Sequence, residues 1–329
     1  LLHEAGVTDI LVNGPDQVFV DRGHGLELTA IRFPHDAEVR RLAQRLAAPS
    51  GRRLDDAQPW VDARLADGTR LHAVLAPIAP DGTCLSLRVP RRQVFTLAEL
   101  TTAGSLPPDG ARLLGALVAH RLAFLVTGGT GTGKTTLLSA LLSLVDPVER
   151  VLVVEDSGEL RPALPHVVRL EARPPNVEGA GEISLRDLVR QALRMRPDRL
   201  VVGEVRGAEV LDLLAALNTG HEGGCGTLHA NSAADAPARL EALAAVAGLG
   251  RGALHSQLAS ALRVVVHLVR DGSRRRLGEV CVLVRADTGL VTALPAWRWD
   301  GRSPAGDAGP GWSLLASMLA TGSAPDPPS

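Results

Sequence analysis

The sequence predicts an α/β protein: a domain built on a mostly parallel sheet, preceded by a smaller α+β unit. Three observations carry this. From about residue 110 to 290, short apolar runs alternate with helical stretches. One run is followed by a glycine-rich turn, Gly128-Gly129-Thr130-Gly131-Thr132-Gly133-Lys134-Thr135-Thr136, and then by an uncharged helical stretch. The first ninety or so residues instead show hairpin patterns around one amphipathic segment.

The elements can be justified in order. Asp9–Val20 reads as strand, turn, strand, with Asn13-Gly14-Pro15-Asp16 as turn chemistry. Between Asp36 and Leu46, Val39, Leu42, Ala43 and Leu46 have the spacing of one helix face. Val61–Leu65 and Arg70–Leu75 form a hairpin pattern across Ala66-Asp67-Gly68-Thr69, and Thr83–Arg88 is a further strand. Pro90-Arg91-Arg92 and the stretch Gly104–Gly110 punctuate the crossing into the second domain. There Ala123–Thr127, Val151–Val154, Leu200–Gly203, Gly226–Leu228, Val264–Val269 and Val280–Val284 read as strands. The expected division is 1–92 for the α+β unit, 93–295 for the α/β domain and 296–329 for a loose tail rich in proline and glycine.

Composition narrows the class. At 329 residues the chain has room for two cores, and 45% hydrophobic with 22% charged residues marks a folded protein. A net charge of −1 and 2% aromatic residues leave little for tracking a nucleic-acid backbone or stacking on bases. The basic runs Arg91-Arg92 and Arg274-Arg275-Arg276 read as solvated turns. Cys84, Cys225 and Cys281 form neither a CxxC motif nor an even set, which implies a reducing compartment. No apolar stretch is long enough to span a membrane. No signal-peptide pattern is present, although the chain opens at Leu1 without a methionine. A cytoplasmic protein without membrane insertion follows as the expectation.

The glycine-rich turn carries the chemistry. Gly128, Gly133, Lys134 and Thr135 fit GxxxxGK[ST], and Lys134 is the single lysine among 35 lysine and arginine residues. Backbone N–H groups in such a loop cradle phosphate oxygens, the ammonium reaches the β- and γ-phosphates as a point charge, and the Thr135 hydroxyl can ligate Mg²⁺. A strand before and a helix after aim the helix dipole at the anion. Binding of a nucleoside triphosphate is implied. Hydrolysis also needs acids near the loop, and two strand ends supply them: Glu155-Asp156-Ser157-Gly158-Glu159 and Gly203-Glu204-Val205-Arg206. A third end, Gly226-Thr227-Leu228-His229-Ala230-Asn231-Ser232, supplies a histidine suited to sensing a γ-phosphate. It follows the glycine-rich stretch Gly220-His221 and Gly223-Gly224.

The order of these motifs resembles the type II/type IV secretion ATPase superfamily: Walker A at 128–135, an aspartate box at 153–160, Walker B at 201–206 and a histidine box at 226–232. The runs 11–20, 165–179, 183–210 and 218–232 look most like the tight-adherence (Tad, CpaF-type) pilus and conjugal-transfer-associated ATPases. The resemblance implies a RecA-like ATPase domain behind an N-terminal domain, a homo-hexameric cytoplasmic ring, ATP and Mg²⁺ as ligands, and inner-membrane platform proteins as partners. It implies that Lys134 and Thr135 meet phosphate and Mg²⁺, that Glu159 polarises water and that Asp156 orders the site. Glu204 serves the Mg²⁺ shell or shares the role of base, and His229 meets the γ-phosphate. Arg64, Arg70, Arg88, Arg173 and Arg206 are the arginine candidates. The tetracysteine metal motif of some relatives is absent. The alternatives are a P-loop kinase and a RecA-like nucleic-acid translocase.

Overall fold

Alternation across the pleat decides the first unit. The computed structural model describes residues 1–2, 4, 6–89, 94–173, 175, 180–220, 222–272 and 274–320. The chain divides into two units, Leu1–Gln93 with Pro175–Gly181, and Val94–Pro174 with Glu182–Ser329. In the first unit, β1 (Asp9–Asn13), β2 (Gln17–Asp21), β3 (Leu26–Leu28), β4 (Trp60–Arg64), β5 (Arg70–Val74) and β6 (Cys84–Arg88) form an antiparallel sheet ordered β3-β2-β1-β6-β5-β4. Ile10, Val12, Val18, Val20, Leu71, Ala73, Leu85 and Leu87 point to one face. Helix α1 (Asp36–Ala47) covers that face with Val39, Ala43 and Ala47. Its first residue fastens it to the sheet: the Asp36 carboxylate accepts from the Thr83 N–H at 2.6 Å and the Thr83 hydroxyl at 3.0 Å.

The second unit opens with α2 (Leu97–Thr102) and α3 (Pro108–Ala119). It continues through β7 (Phe124–Gly128), α4 (Lys134–Leu142), β8 (Val151–Glu155), β9 (Val167–Glu171), α5 (Leu185–Leu193), β10 (Arg199–Val205), α6 (Glu209–Asn218) and β11 (Cys225–His229). After these come α7 (Ala236–Val246), α8 (Arg251–Ala261), β12 (Val264–Asp271), β13 (Arg274–Arg285), β14 (Val291–Arg298), β15 (Asp307–Ala308) and α9 (Trp312–Ala320). The described strands of this unit make one sheet, β15-β14-β13-β12-β7-β11-β10-β8-β9, parallel from β12 to β9 and antiparallel beyond.

Both faces of the parallel part are covered, which is why its strands read as unbroken apolar runs. Leu125, Leu152, Val154, Leu200 and Val202 pack against α5 to α8. Phe124, Val126, Val151, Val153 and Val201 face the other way, against α3, α4 and α9.

Three sequence expectations change here. β9, which the sequence reading left out of its strands, is an edge strand in which the exposed Arg169 and Glu171 alternate with Val168 and Leu170. Much of the stretch expected to be a loose tail is folded: β14 and α9 pack on the unit, with Trp297, Trp299 and Leu315 buried. Asp109 of α3 ties this segment down, accepting from the Trp297 indole N–H at 2.9 Å and the Gly306 N–H at 3.0 Å. Residues 321–329 lie outside the described residues, as do Arg91, Arg92 and His221. Third, Arg274-Arg275-Arg276 is no solvated turn, because it opens β13.

Candidate nucleoside triphosphate site

Because β7, β8, β10 and β11 run parallel, their C-terminal ends meet at one edge of the sheet, where α/β proteins place ligands. The predicted loop leaves β7 at Gly128 and enters α4 at Lys134. Gly133 caps α4 with φ +94, a left-handed backbone that favours glycine. The Thr132 hydroxyl donates to the Gly129 carbonyl at 2.9 Å and closes the loop. Lys134 Nζ donates across it to the carbonyls of Gly128 and Gly129, both at 2.9 Å. Burial lowers the Lys134 pKa, while the carboxylates of Glu204 and Glu159 pull it up, so both predicted acids act electrostatically on this lysine.

The aspartate box is a tight turn folded around a carboxyl group. Glu155, the last residue of β8, is 4% exposed. Its Oε1 accepts from the backbone N–H groups of Glu159 and Leu160, each at 3.0 Å. Burial pushes the Glu155 pKa up to about 7, with the two N–H bonds opposing it. The turn leaves the Glu159 side chain exposed, and its Oε2 accepts from the Thr135 hydroxyl at 3.5 Å. Asp156 pairs with Arg206, which links the aspartate box to the end of β10. Burial raises the Asp156 pKa, Arg206 opposes that rise, and Glu209 and Glu204 add to it.

Glu204 lies where the pairing of β10 with β11 shifts register, between Val202 and Val205, an irregularity that re-aims a strand-end side chain. Gly203 beside it has no room for a side chain: a Cβ would lie 2.5 Å from Cγ of Glu155. The Thr227 hydroxyl secures this bend by donating to the Gly203 carbonyl at 2.6 Å. Glu209 supports the next turn, accepting from the N–H groups of Arg206 at 2.6 Å and Gly207 at 2.7 Å. His229 closes β11, exposed and paired in register with Gly128.

The structure therefore brings Lys134, Thr135, Asp156, Glu159, Glu204, Arg206 and His229 to one edge of the second unit. Arg173 forms a β-bridge with Ile183 in the same unit. Arg64, Arg70 and Arg88 belong to the first unit, where register aligns them across β4, β5 and β6, with Arg88 paired to Asp9 at 3.1 Å. Sequence reasoning missed the role of Glu155, which it left inside an acidic strand end. It also missed Arg275, whose Nε donates to the Gly131 carbonyl at 2.8 Å and braces the apex of the loop. The signal for Arg275 was topological: β12 pairs with β7, and β13, which Arg274–Arg276 opens, pairs back along β12 beside the glycine loop.

The donor set fits Mg²⁺, a hard cation that takes oxygen ligands and keeps several waters. The Thr135 hydroxyl stands beside the Glu159 carboxylate, and Glu204 is near enough to raise the pKa of Lys134. Among the described residues no cluster of three or more His, Cys, Asp or Glu forms an all-protein cage. None of the described helices is long and apolar enough to cross a membrane.

Fold and loop together define a RecA-like P-loop domain preceded by an α+β N-terminal domain. Residues 1–289 match the model of the type II/IV secretion system protein family, and the chain belongs to that family. A Mycobacterium tuberculosis protein (strain H37Rv) named for conjugal transfer is 58% identical over 324 residues, covering 96% of this chain and 92% of the relative. The conjugal transfer protein TrbB of Rhizobium radiobacter is 31% identical over 284 residues, covering 85% and 84%. The X-ray structure of the Legionella pneumophila ATPase DotB aligns with a TM-score of 0.59 at 20% identity, over 98% of this chain and 86% of that one, a likeness of fold.

Proposed function

We propose that this chain is a Mg²⁺-dependent ATPase that works as the motor of a type IV secretion, conjugal-transfer or pilus-assembly apparatus. The observation that carries the reading is the meeting of a P-loop lysine with acids from two neighbouring strand ends, in a chain of this family. The P-loop N–H groups and Lys134 bind the β- and γ-phosphates. Thr135 and Glu204 hold Mg²⁺, which when bound neutralises charge on the phosphate oxygens. Glu159 orients a water and accepts its proton as the oxygen attacks the γ-phosphorus, and the β–γ bridging oxygen leaves with ADP. Asp156, fixed by Arg206, orders the aspartate box, and His229 meets the γ-phosphate. Within the family, the tight-adherence pilus and conjugal-transfer ATPases are the kind we infer.

The motor is a homo-hexameric ring at the cytoplasmic face of the membrane, docked on inner-membrane platform proteins. Arginines supplied by a neighbouring subunit, with Arg64, Arg70, Arg88 and Arg173 as candidates, complete the site, so hydrolysis depends on assembly. Analytical ultracentrifugation with a non-hydrolysable ATP analogue, beside turnover measured over a range of protein concentrations, tests this. A shift to a hexamer and specific activity that rises with concentration are expected. A monomer with concentration-independent turnover would contradict the ring.

A further inference from the structure

The β12–β13 hairpin sets two arginines beside the P-loop that the scheme above does not use. Arg270 and Arg275 stand directly opposite each other in the antiparallel register of β12 with β13. Like charges so opposed weaken a ladder, so their placement points to the loop rather than to the sheet. Both lie against the apex of the loop. Arg270 Nη1 is 3.4 Å from the position of a Cβ on Gly131, and Arg275 Cδ is 3.7 Å from that of a Cβ on Gly133. Only Arg275 bonds to the loop there, its Nε donating to the Gly131 carbonyl at 2.8 Å, whereas Arg270 Nε donates to Gly272 within the hairpin at 2.9 Å. The same hairpin touches the base of the loop: His267 Nδ1 of β12 is 2.9 Å from the Thr127 hydroxyl of β7, one residue before Gly128. Arg276 anchors the hairpin itself, pairing with Asp271 at 2.7 Å and donating to the Trp299 carbonyl just past β14 at 2.6 Å.

We propose that Arg275 is a positioning residue that sets the P-loop apex for the phosphate chain of ATP, through its hydrogen bond rather than through its charge. This rests on the ATPase reading. Gly131 and Gly133 are both left-handed, with φ +71 and +94, and glycine leaves the peptide planes around it free to turn. A trans peptide is planar, so its carbonyl and N–H point opposite ways. Holding the Gly131 carbonyl toward the hairpin therefore turns the Thr132 N–H away from it, as one of the donors that the loop offers to phosphate. A cradle with its donors aimed beforehand binds more tightly than one that must be ordered by the ligand. The acids proposed for hydrolysis follow β8 and β10, across β7 from the hairpin. Arg275 thus acts on the binding of a phosphate chain common to ATP and ADP, and leaves the chemical step to the other side of the sheet.

The test measures the Kd for Mg-ADP and the kcat and KM for ATP in the full-length wild type, Arg275→Met, Arg275→Gln and Arg275→Lys. Arg275→Met is expected to weaken ADP binding and raise KM for ATP alike, by about 5- to 10-fold, with kcat at saturation within about 2-fold of wild type. Glutamine carries its Nε2 the same number of bonds from the backbone as arginine carries Nε, so Arg275→Gln is expected to restore most of the affinity without the charge. A folded Arg275→Met with wild-type Kd and KM overturns the proposal. So does a loss confined to kcat, which would make Arg275 a group that meets the transition state, and so does a glutamine variant no better than methionine, which would make the charge the active feature. If methionine prevents folding, glutamine against lysine decides, because lysine keeps the charge but holds its donor one bond farther out. Tighter ADP binding by glutamine supports the proposal; lysine equal to it or tighter overturns it. A wild type that binds neither ADP nor ATP would overturn the ATPase reading itself, whereas wild-type affinity in Arg275→Met of an active enzyme overturns this inference alone.

Discussion

The same parallel strands carry charge at both ends, and the two ends treat it in opposite ways. Where β8 and β10 begin, Arg199 and Glu149 are buried together. Arg199 Nε and one terminal nitrogen meet the two Glu149 oxygens at 2.7 and 3.1 Å, Arg121 adds a contact at 3.1 Å, and the Val118 carbonyl takes a further guanidinium proton at 3.0 Å. Acceptors and donors are matched there. Where β8 and β10 finish, Glu155, Asp156, Glu159 and Glu204 crowd around Lys134 and Arg206. Acids outnumber cations, and burial raises the pKa of Glu155 and Asp156 while lowering that of Lys134. One end holds the sheet together; the other carries the unbalanced charge on which the proposed ATP and Mg²⁺ site rests.

If that contrast is right, mutations at the two ends should fail differently. The largest stability effect is expected at the paired end. Arg199→Met leaves the buried Glu149 charge with one exposed partner, a loss of about 3–5 kcal/mol. Thermal melting should show it, while the kcat of whatever remains folded stays near wild type. A drop in kcat at unchanged melting temperature would erase the distinction between the ends. At the other end, Glu159→Gln and Glu204→Gln should keep ATP affinity and melting temperature yet lose about 10²-fold in kcat. If only one of them fails, that residue is the better candidate for the base. If neither fails, the acids do not serve hydrolysis.

The smallest effect concerns Glu155. Its ordinary pKa of 4.5 rises to about 7 on folding, so the folded chain takes up a proton between those values. The associated stabilisation is complete below the unfolded value and disappears as pH rises through the folded one. Glutamine cannot ionise and still offers an oxygen to the Glu159 and Leu160 N–H groups. The melting temperature of Glu155→Gln relative to wild type should therefore increase from about pH 5 to about pH 8. A pH-independent difference would mean that Glu155 stays ionised.

The site was more legible than the frame around it. Spacing within a few residues marks Lys134 and Thr135, and a place after apolar runs marks the two acidic strand ends and His229, while picking out Glu159 took the family resemblance. Glu155, Arg275 and His267 carry no such pattern. Glu155 looks like one more acid in a loop, and His267 like a break in an apolar strand. Their partners, Leu160, Gly131 and Thr127, are set by how the turn closes and by which strand lies beside β7. The same limit hid α9. Its apolar Leu315 sits among proline and glycine that suggest a tail, and only pairing with β14 gives it a surface to cover.

Steady-state ATP turnover of the full chain, measured beside Lys134→Ala at matched folded concentration, tests the central claim most directly. Wild-type turnover that needs Mg²⁺, with near-complete loss in Lys134→Ala and no fall in melting temperature, is the result expected of a catalytic edge built around the P-loop. Equal turnover in the two proteins would contradict it.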